Sequence, residues 1–180
     1  MITSHTLNAR RKQSGITLIE VSIGLIIAAI VAAAAFIAFQ NNQRRNEVQD
    51  NIKQLTEIIT ETKQKVGITT GYTGFTETNA IQLAILEAGG VDAAGATVPA
   101  KNSYSGAGDI TMTGAADGET VTLTWPDVPS DQCADIALSV SGQVQSVNGQ
   151  DTVNGSLPVT SLDEVCVGDT TTLSFVFARR

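Results

Sequence analysis

The 180-residue sequence predicts an α+β fold, in which a long N-terminal helix packs on an antiparallel β-sheet. Two observations carry this prediction. Apolar residues dominate from Val21 to Phe39 and then recur at alternating steps of four and three residues as far as Val66, as on one face of a helix. From Asp109 onward, apolar residues alternate with polar ones, as in half-buried strands. We therefore expect helix in the first third of the chain and sheet in the last.

The first half of the predicted helix, residues 16–39, has the length and composition of a membrane span. Only Ser22 and Gly24 interrupt the apolar run from Val21, which extends about 28 Å at the rise of an α-helix. This length is close to the roughly 30 Å hydrocarbon thickness of a bilayer. Glu20 is unusual at the start of such a run, because an unpaired carboxylate in hydrocarbon is costly. We expect Glu20 to have a specific role.

A basic leader, residues 1–15, precedes the apolar run. Arg10–Lys12 place the N-terminus in the cytoplasm by the positive-inside rule, although Arg44–Arg45 weaken the asymmetry. Two ordinary interpretations are a secretory signal peptide, for which Ala33–Ala35 imitates a cleavage site, and a plain signal anchor. The apolar run is longer than a signal-peptide core, and a plain anchor leaves Glu20 unexplained.

The second half of the helix, residues 40–66, is predicted to be amphipathic and to pack on the globular domain. Six positions share one face: Val48, Ile52, Leu55, Ile59, Thr62 and Val66. Gly67 is typical of the residue after a helix end. A division into two helices with a break at residues 40–45 is the alternative, and no residue there requires it.

Residues 67–180 are predicted to form the globular domain. A loop over residues 67–78 leads into a second helix, which begins with Asn79 as N-cap and reaches Glu87. Residues 91–108 are rich in Ala, Gly and Ser, with weak periodicity, and are predicted to be a long surface connection.

The predicted sheet begins with a hairpin around the turn Asp117–Gly118, and its return strand ends at Pro126 and Pro129. A helix capped by Ser130 follows, with Cys133, Ile136, Ala137 and Val140 on its inner face.

A short strand is predicted at Val144–Val147, followed by turns at Asn148–Gly149 and Asn154–Gly155. The last strand, Thr171–Phe177, places Leu173, Phe175 and Phe177 on one face. That face is expected to be buried against the long helix.

Composition excludes several classes of function. The net charge is −7, and the chain without its basic leader has 8 basic and 18 acidic residues, a net charge of −10. Such a balance argues against nucleic acid as the main partner. The one histidine, His5, lies in the leader, no phosphate-binding glycine motif is present, and the acidic residues 163–169 lack EF-hand spacing. We expect no enzymatic activity, no cofactor and no metal site.

Two cysteines, Cys133 and Cys166, lie in the part of the chain that would be exported. An even count in an oxidising compartment favours a disulfide. Two buried free thiols are the alternative.

The leader, the glycine, the apolar run and its early glutamate together resemble the N-terminus of a type IV prepilin. The long helix, the mixed loop and the antiparallel sheet are similar to the pilin roll, and the cysteine pair lies where pilins have a disulfide-bounded region. The resemblance implies a structural subunit of a pilus that self-assembles into a surface filament, a class of fibre that serves adhesion, aggregation, conjugation or motility.

The resemblance also implies roles for individual residues. Gly15 precedes the cut made by a prepilin peptidase, and Ile16 becomes the new, N-methylated N-terminus. Glu20 corresponds to the glutamate that pairs with that terminus during assembly, and Cys133 and Cys166 correspond to the bridge. The implied partners are further copies of the chain in a helical filament, the inner membrane before assembly, and the inner-membrane assembly machinery.

The N-terminal isoleucine of the cut chain and the long leader indicate a type IVb-like major pilin. A type II secretion pseudopilin or minor pilin is the alternative within the family. A membrane-anchored periplasmic binding domain is the alternative from another class.

Overall fold

The computed structural model describes residues 17–91, 97–98, 100–104 and 108–179. Helix α1 extends from Leu18 to Thr62 and continues through a π-helical turn, Lys63–Gly67. The helix predicted over residues 17–66 is therefore observed, and it has no break at residues 40–45. The chain divides into two compact units, residues 1–42 and residues 43–180.

The other elements are shorter and belong to the second unit. In chain order they are α2 (Glu77–Gln82), β1 (Gly90–Val91), β2 (Thr97–Val98), β3 (Thr111–Gly114), β4 (Thr120–Pro129), α3 (Ser130–Val140), β5 (Ser146–Val147), β6 (Gln150–Asp151), α4 (Leu162–Val165) and β7 (Thr170–Ala178). Single 3₁₀ turns follow α3 at Ser141–Gln143 and precede α4 at Val159–Ser161.

Five strands form one antiparallel sheet in the order β3-β4-β7-β5-β6, while β1 and β2 form a separate two-stranded hairpin. The centre of the sheet is the long β4–β7 pair, whose register places Val121 opposite Phe177 and Leu123 opposite Phe175. The predicted α+β architecture, a long helix with an antiparallel sheet, is thereby confirmed.

Neither edge of the sheet is freely available for pairing with another strand. At one edge, the Ile110 N–H donates to the Ala100 carbonyl oxygen and the Gly114 N–H donates to the Phe75 carbonyl oxygen, each at 2.8 Å, so loop backbone covers β3. At the other edge, β6 has only two residues, Gln150 and Asp151. Short or covered edges reduce unwanted strand pairing.

The core of the second unit lies between the sheet, the second half of α1 and helix α3. Alternation along β7 buries Leu173, Phe175 and Phe177, as predicted. These side chains belong to one buried cluster that includes Leu55 and Ile59 of α1. The apolar face predicted for residues 40–66 therefore packs on the globular domain.

The second helix differs from its predicted position. Thr76, not Asn79, is the N-cap, and the Asn79 side-chain Oδ1 accepts a hydrogen bond from the Thr76 N–H at 3.1 Å. The helix ends at Gln82 rather than near Glu87, because Ala84 has a left-handed φ of 52° that α-helical backbone does not allow.

The prediction that residues 91–108 form a surface connection is wrong in two respects. Strands β1 and β2 pair with each other, and Ala100, Asn102 and Tyr104 are buried. The reason is a long-range contact that composition does not reveal: the Asn102 Nδ2 donates to the Pro126 carbonyl oxygen at 2.7 Å.

The predicted end of the return strand is confirmed at Pro129 but not at Pro126. Strand β4 continues through Pro126 as far as Pro129, with a bulge between Trp125 and Val128. The bulge accommodates a proline, which cannot donate to the ladder. Its residue Asp127 has a φ of 57°. Helix α3 then begins with Pro129 as N-cap, so Ser130 is its first residue rather than its cap.

Candidate functional site

The first half of α1 is the most exposed apolar surface in the described part of the chain. Within the first unit, large side chains from Leu18 to Phe39 are about half to nine-tenths exposed. This helix is the one element among the described residues that is long and apolar enough to cross a membrane. A surface of this kind requires lipid or protein to cover it.

Glu20 lies in the first turn of α1, and its side chain is exposed. Its backbone N–H donates to the Thr17 carbonyl oxygen at 3.0 Å, so the turn is formed. No basic residue lies between it and Arg44 in the sequence. A carboxylate at a helix N-terminus is favourable, because it faces the positive end of the helix dipole.

Gly15 and Ile16, the residues assigned to the cleavage site, lie outside the described residues. The adjoining polar groups of the helix are satisfied locally. Ser22 Oγ donates to the Ile19 carbonyl oxygen at 2.8 Å, which reduces the cost of a hydroxyl in an apolar environment. Gly24 has no neighbouring atom where a side chain would extend.

A buried polar network ties α1 to the globular domain around Asn51. The Trp125 indole N–H donates to Asn51 Oδ1 at 3.2 Å. Asn51 Nδ2 donates to the Glu47 carbonyl oxygen at 2.7 Å and to Ser103 Oγ at 2.6 Å. Every polar atom of the amide is therefore used, as a buried amide requires.

The same region links α1 to the start of α3. The Tyr104 hydroxyl donates to Gln132 Oε1 at 2.8 Å, and Arg44 forms an ion pair with Asp131. Burial, reinforced by the negative charges of Glu47 and Asp131, raises the pKa of Tyr104 above its ordinary value. Asn51 itself was the sign of this network in the sequence. It is a polar residue that lies one helical turn after Val48, beside the apolar face of α1.

Tyr72 fixes the loop that follows α1. Its ring is buried against Phe177, with the ring centroids 6.2 Å apart. Its hydroxyl has no hydrogen-bond partner among the described residues, and burial raises the pKa of Tyr72 to about 12, despite the opposing charge of Arg179. Glycine is required at position 114, because any side chain there would overlap the Tyr72 carbonyl oxygen.

Two lysines connect the end of α1 to distant backbone. Lys63 Nζ donates to the Gln143 carbonyl oxygen at 2.8 Å, and burial lowers its pKa. Lys65 Nζ donates to the Leu83 carbonyl oxygen at 3.0 Å and pairs with Glu61 at 2.8 Å. The four-residue spacing of Glu61 and Lys65 thus allows an ion pair on the helix. The same Lys65 ammonium also satisfies the Leu83 carbonyl oxygen in the backbone after α2.

Cys133 and Cys166 form a disulfide, with their Cα atoms 5.8 Å apart. It joins α3 to the end of α4 and links two residues that are 33 positions apart in the sequence. Between these two residues, Gln150 Nε2 donates to Glu164 Oε2 at 2.6 Å. The bridge therefore holds a segment that has little regular structure of its own.

Catalytic and metal-binding arrangements are not found in the part of the chain that the structure describes. No three His, Cys, Asp or Glu side chains there are close enough together to hold a metal ion. A groove of about 740 Å³ lies between α1 and the end of α2, but its charged side chains (Glu57, Glu61, Glu87 and Lys101) belong to no nucleophile–base pair. The prominent chemical features are the apolar helix half, Glu20 and the disulfide.

Comparison with known proteins gives a family for most of the chain. The family described as PilS N terminal matches residues 44–178, and the prokaryotic N-terminal methylation motif matches residues 10–36. No curated protein matches the sequence.

Among solved structures, the crystal structure of a type IV b pilin from Salmonella typhi is similar. It has 21% sequence identity and a TM-score of 0.48, over 74% of this chain and 97% of that one. The PilS N-terminal match covers most of the chain, and the methylation motif covers the basic residues Arg10–Lys12 and most of the apolar run. The chain therefore belongs to the PilS N-terminal family and is a type IV pilin, a structural protein rather than an enzyme.

Proposed function

We propose that this pilin is the major subunit of a type IVb-like pilus and self-assembles into a surface filament after its leader is removed. The observation that carries the proposal is the exposed apolar half of α1 with Glu20 in its first turn. A membrane covers this surface before assembly, and further copies of the same helix cover it in the filament.

Cleavage after Gly15 supplies a partner for Glu20. It creates a positive amine on Ile16, which is then N-methylated and keeps its charge. A buried carboxylate is strongly destabilised without a countercharge. Pairing between the Ile16 amine of one subunit and Glu20 of a neighbour therefore favours a single axial stagger between adjacent helices.

Contacts of this kind are heterologous, because between parallel helices with an axial stagger the amine of one subunit meets the carboxylate of the next, and the reciprocal pair does not form. Heterologous contacts that do not close into a ring generate a helical filament. Apolar contacts between helices then build the filament core.

The membrane stage sets the topology of the precursor. The basic residues before the apolar run keep the N-terminus in the cytoplasm and place residues 43–180 in the periplasm. The partners before assembly are a prepilin peptidase at the cytoplasmic face and the inner-membrane assembly machinery. The disulfide supports this placement, since disulfides persist in oxidising compartments.

The experiment that tests assembly replaces Glu20 with valine. Membrane insertion and cleavage are expected to continue, because a membrane-embedded charge is removed and Gly15 is intact. Filament yield is expected to fall strongly, because the Ile16 amine loses its countercharge. Ser22→Ala is the matched control, since the Ser22 hydroxyl is satisfied within its own helix. Processed protein in membranes is measured beside filaments sheared from the surface.

Three other outcomes would change the proposal. Normal filaments from Glu20→Val would remove the assembly role of Glu20. Wild-type filaments in which this chain is a minor component would favour a minor pilin or pseudopilin. A processed wild-type protein that stays in the membrane without forming filaments would favour an anchored binding domain.

A further inference from the structure

Two Asn–Gly pairs occupy tight turns within the disulfide-bounded region. Asn148 and Gly149 have φ of 50° and 79°, and Asn154 and Gly155 have φ of 54° and 73°. Both turns thus have the same dipeptide and nearly the same backbone conformation. Any difference in their reactivity must come from what holds each asparagine side chain and the backbone of its turn.

The amide of Asn148 is held at both ends. Its Nδ2 donates to the Val165 carbonyl oxygen at 3.0 Å, and its Oδ1 accepts from the Ser174 N–H at 2.7 Å. The backbone of the turn is also fixed, because β5 pairs with both β6 and β7. The Asn148 side chain therefore cannot rotate towards its own backbone without breaking two hydrogen bonds.

Asn154 has none of these restraints. Its side chain and Gly155 are exposed, and neither the Asn154 amide nor the Gly155 N–H makes a hydrogen bond within the described part of the chain. Only an isolated pair of backbone hydrogen bonds between Val153 and Ser156, 2.8 and 3.1 Å long, closes the turn. Local opening of such a turn costs little compared with opening a ladder inside a sheet.

We propose that Asn154 is a site of spontaneous deamidation in the folded protein and that Asn148 is protected. The Gly155 backbone nitrogen attacks Asn154 Cγ, a C–N bond forms, the Cγ–Nδ2 bond breaks, and ammonia leaves with the displaced proton. Water then opens the resulting cyclic imide at either carbonyl. One opening gives aspartate and the other gives isoaspartate, so each event adds one negative charge to an exposed turn.

The test is peptide mapping of the full-length mature chain in detergent, aged in mildly alkaline buffer. A protease that cuts before aspartate separates the two sites, because Asp151 lies between them. The resulting peptides, 135–150 and 151–162, each contain one asparagine. Conversion to an aspartate at residue 154 creates a new cleavage point, whereas isoaspartate resists the protease, so the two products are distinguished.

In the folded protein, Asn154 is expected to convert about tenfold faster or more than Asn148, because Asn148 must first lose two hydrogen bonds. The matched control is the same chain, reduced and unfolded in denaturant, in which both pairs are expected to react at similar rates. Equal rates in the folded protein would overturn the inference. An unreactive Asn154 in the folded protein, with both sites reactive after unfolding, would also overturn it. The result does not depend on filament assembly.

Discussion

Asn51 shows how one buried polar side chain can fix a helix on a sheet. Its amide joins Trp125 of β4 to Ser103 of the preceding loop and to the backbone of α1. Because a buried donor without an acceptor is expensive, the three elements are favoured in one relative position. The network therefore contributes specificity as well as stability to the second unit.

Asn51→Ala is expected to lower the free energy of unfolding by about 2–3 kcal/mol, since the Trp125 indole N–H would stay buried without an acceptor. Urea unfolding of the full chain in detergent measures this through the fluorescence of Trp125, the single tryptophan. Gln54→Ala, at an exposed position on the same helix, is the control and should change stability by less than about 0.5 kcal/mol. Equal effects of the two variants would contradict the role of Asn51.

The two tyrosines predict opposite responses to removal of a hydroxyl. Tyr104→Phe loses the hydrogen bond to Gln132 and should destabilise by about 0.5–1.5 kcal/mol at neutral pH. Tyr72→Phe removes a buried hydroxyl that has no partner among the described residues, so stability should be unchanged or higher. Denaturant midpoints of the two variants decide this, and a larger loss from Tyr72→Phe would refute it.

The raised pKa of Tyr72 also predicts an alkaline limit to stability. The pKa is about 12 in the folded state and about 10 when unfolded. Above pH 10 the unfolded state binds fewer protons than the folded state, so stability falls as pH rises. The contribution of un-ionised Tyr72 to the free energy of unfolding is full below pH 10 and is lost as the pH rises through about 12. Midpoints measured over this interval should fall less steeply in Tyr72→Phe than in wild type.

At the scale of single elements, the disulfide compensates for a region with short strands and turns. Between Cys133 and Cys166, regular structure is limited to most of α3, two single 3₁₀ turns, the two-residue strands β5 and β6, and α4. Such a region gains little stability from hydrogen bonds between paired strands. A covalent link lowers the conformational entropy of the unfolded chain instead.

Cys133→Ser is expected to cost about 3–4 kcal/mol in the free energy of unfolding, from the entropy of the closed loop. Urea unfolding in oxidising buffer measures the loss, and wild type with a reductant should approach the variant. Labelling of denatured, unreduced wild-type protein should find no free thiol. Two reactive thiols would show that the bridge is absent from the native protein.

The elements also show what the sequence could and could not predict. The period of α1 and the alternation of β7 were clear because each element has one buried face that repeats along the chain. The burial of Ala100, Asn102 and Tyr104 was missed, since it depends on partners far away in sequence and not on periodicity. Thr76 and Asn79 are both good cap residues, so composition alone did not distinguish the true N-cap from its partner.

The candidate site divides in the same way. The cysteine bridge could be predicted because an even cysteine count is visible in the sequence, and the structure forms it. Glu20 stands out in the sequence as a charge in an apolar run, and its role in assembly stays a prediction. The network of Asn51, Tyr104 and Gln132 was not predicted, because its members lie on three elements that only the folded chain brings together. A polar residue on the apolar face of α1 was the only sign of it.

At the scale of the whole molecule, processing of the leader is the first step of the proposed assembly. Gly15→Val should leave an uncut precursor in the membrane, because a peptidase at the membrane face needs a small residue to approach the bond. Intact-mass analysis of wild type and variant measures the cut. A mature wild-type chain that begins between Val31 and Ile37 would instead indicate a conventional signal peptide.

The covered edge of β3 and the two-residue strand β6 have a consequence for how copies of this protein meet. The proposed filament would bring copies of the chain to high local concentration, where open strand edges would pair into amyloid-like stacks. With loop backbone occupying one edge and almost no strand at the other, stacking through the sheet has little to grow from. In the proposed filament, growth is left to the apolar half of α1.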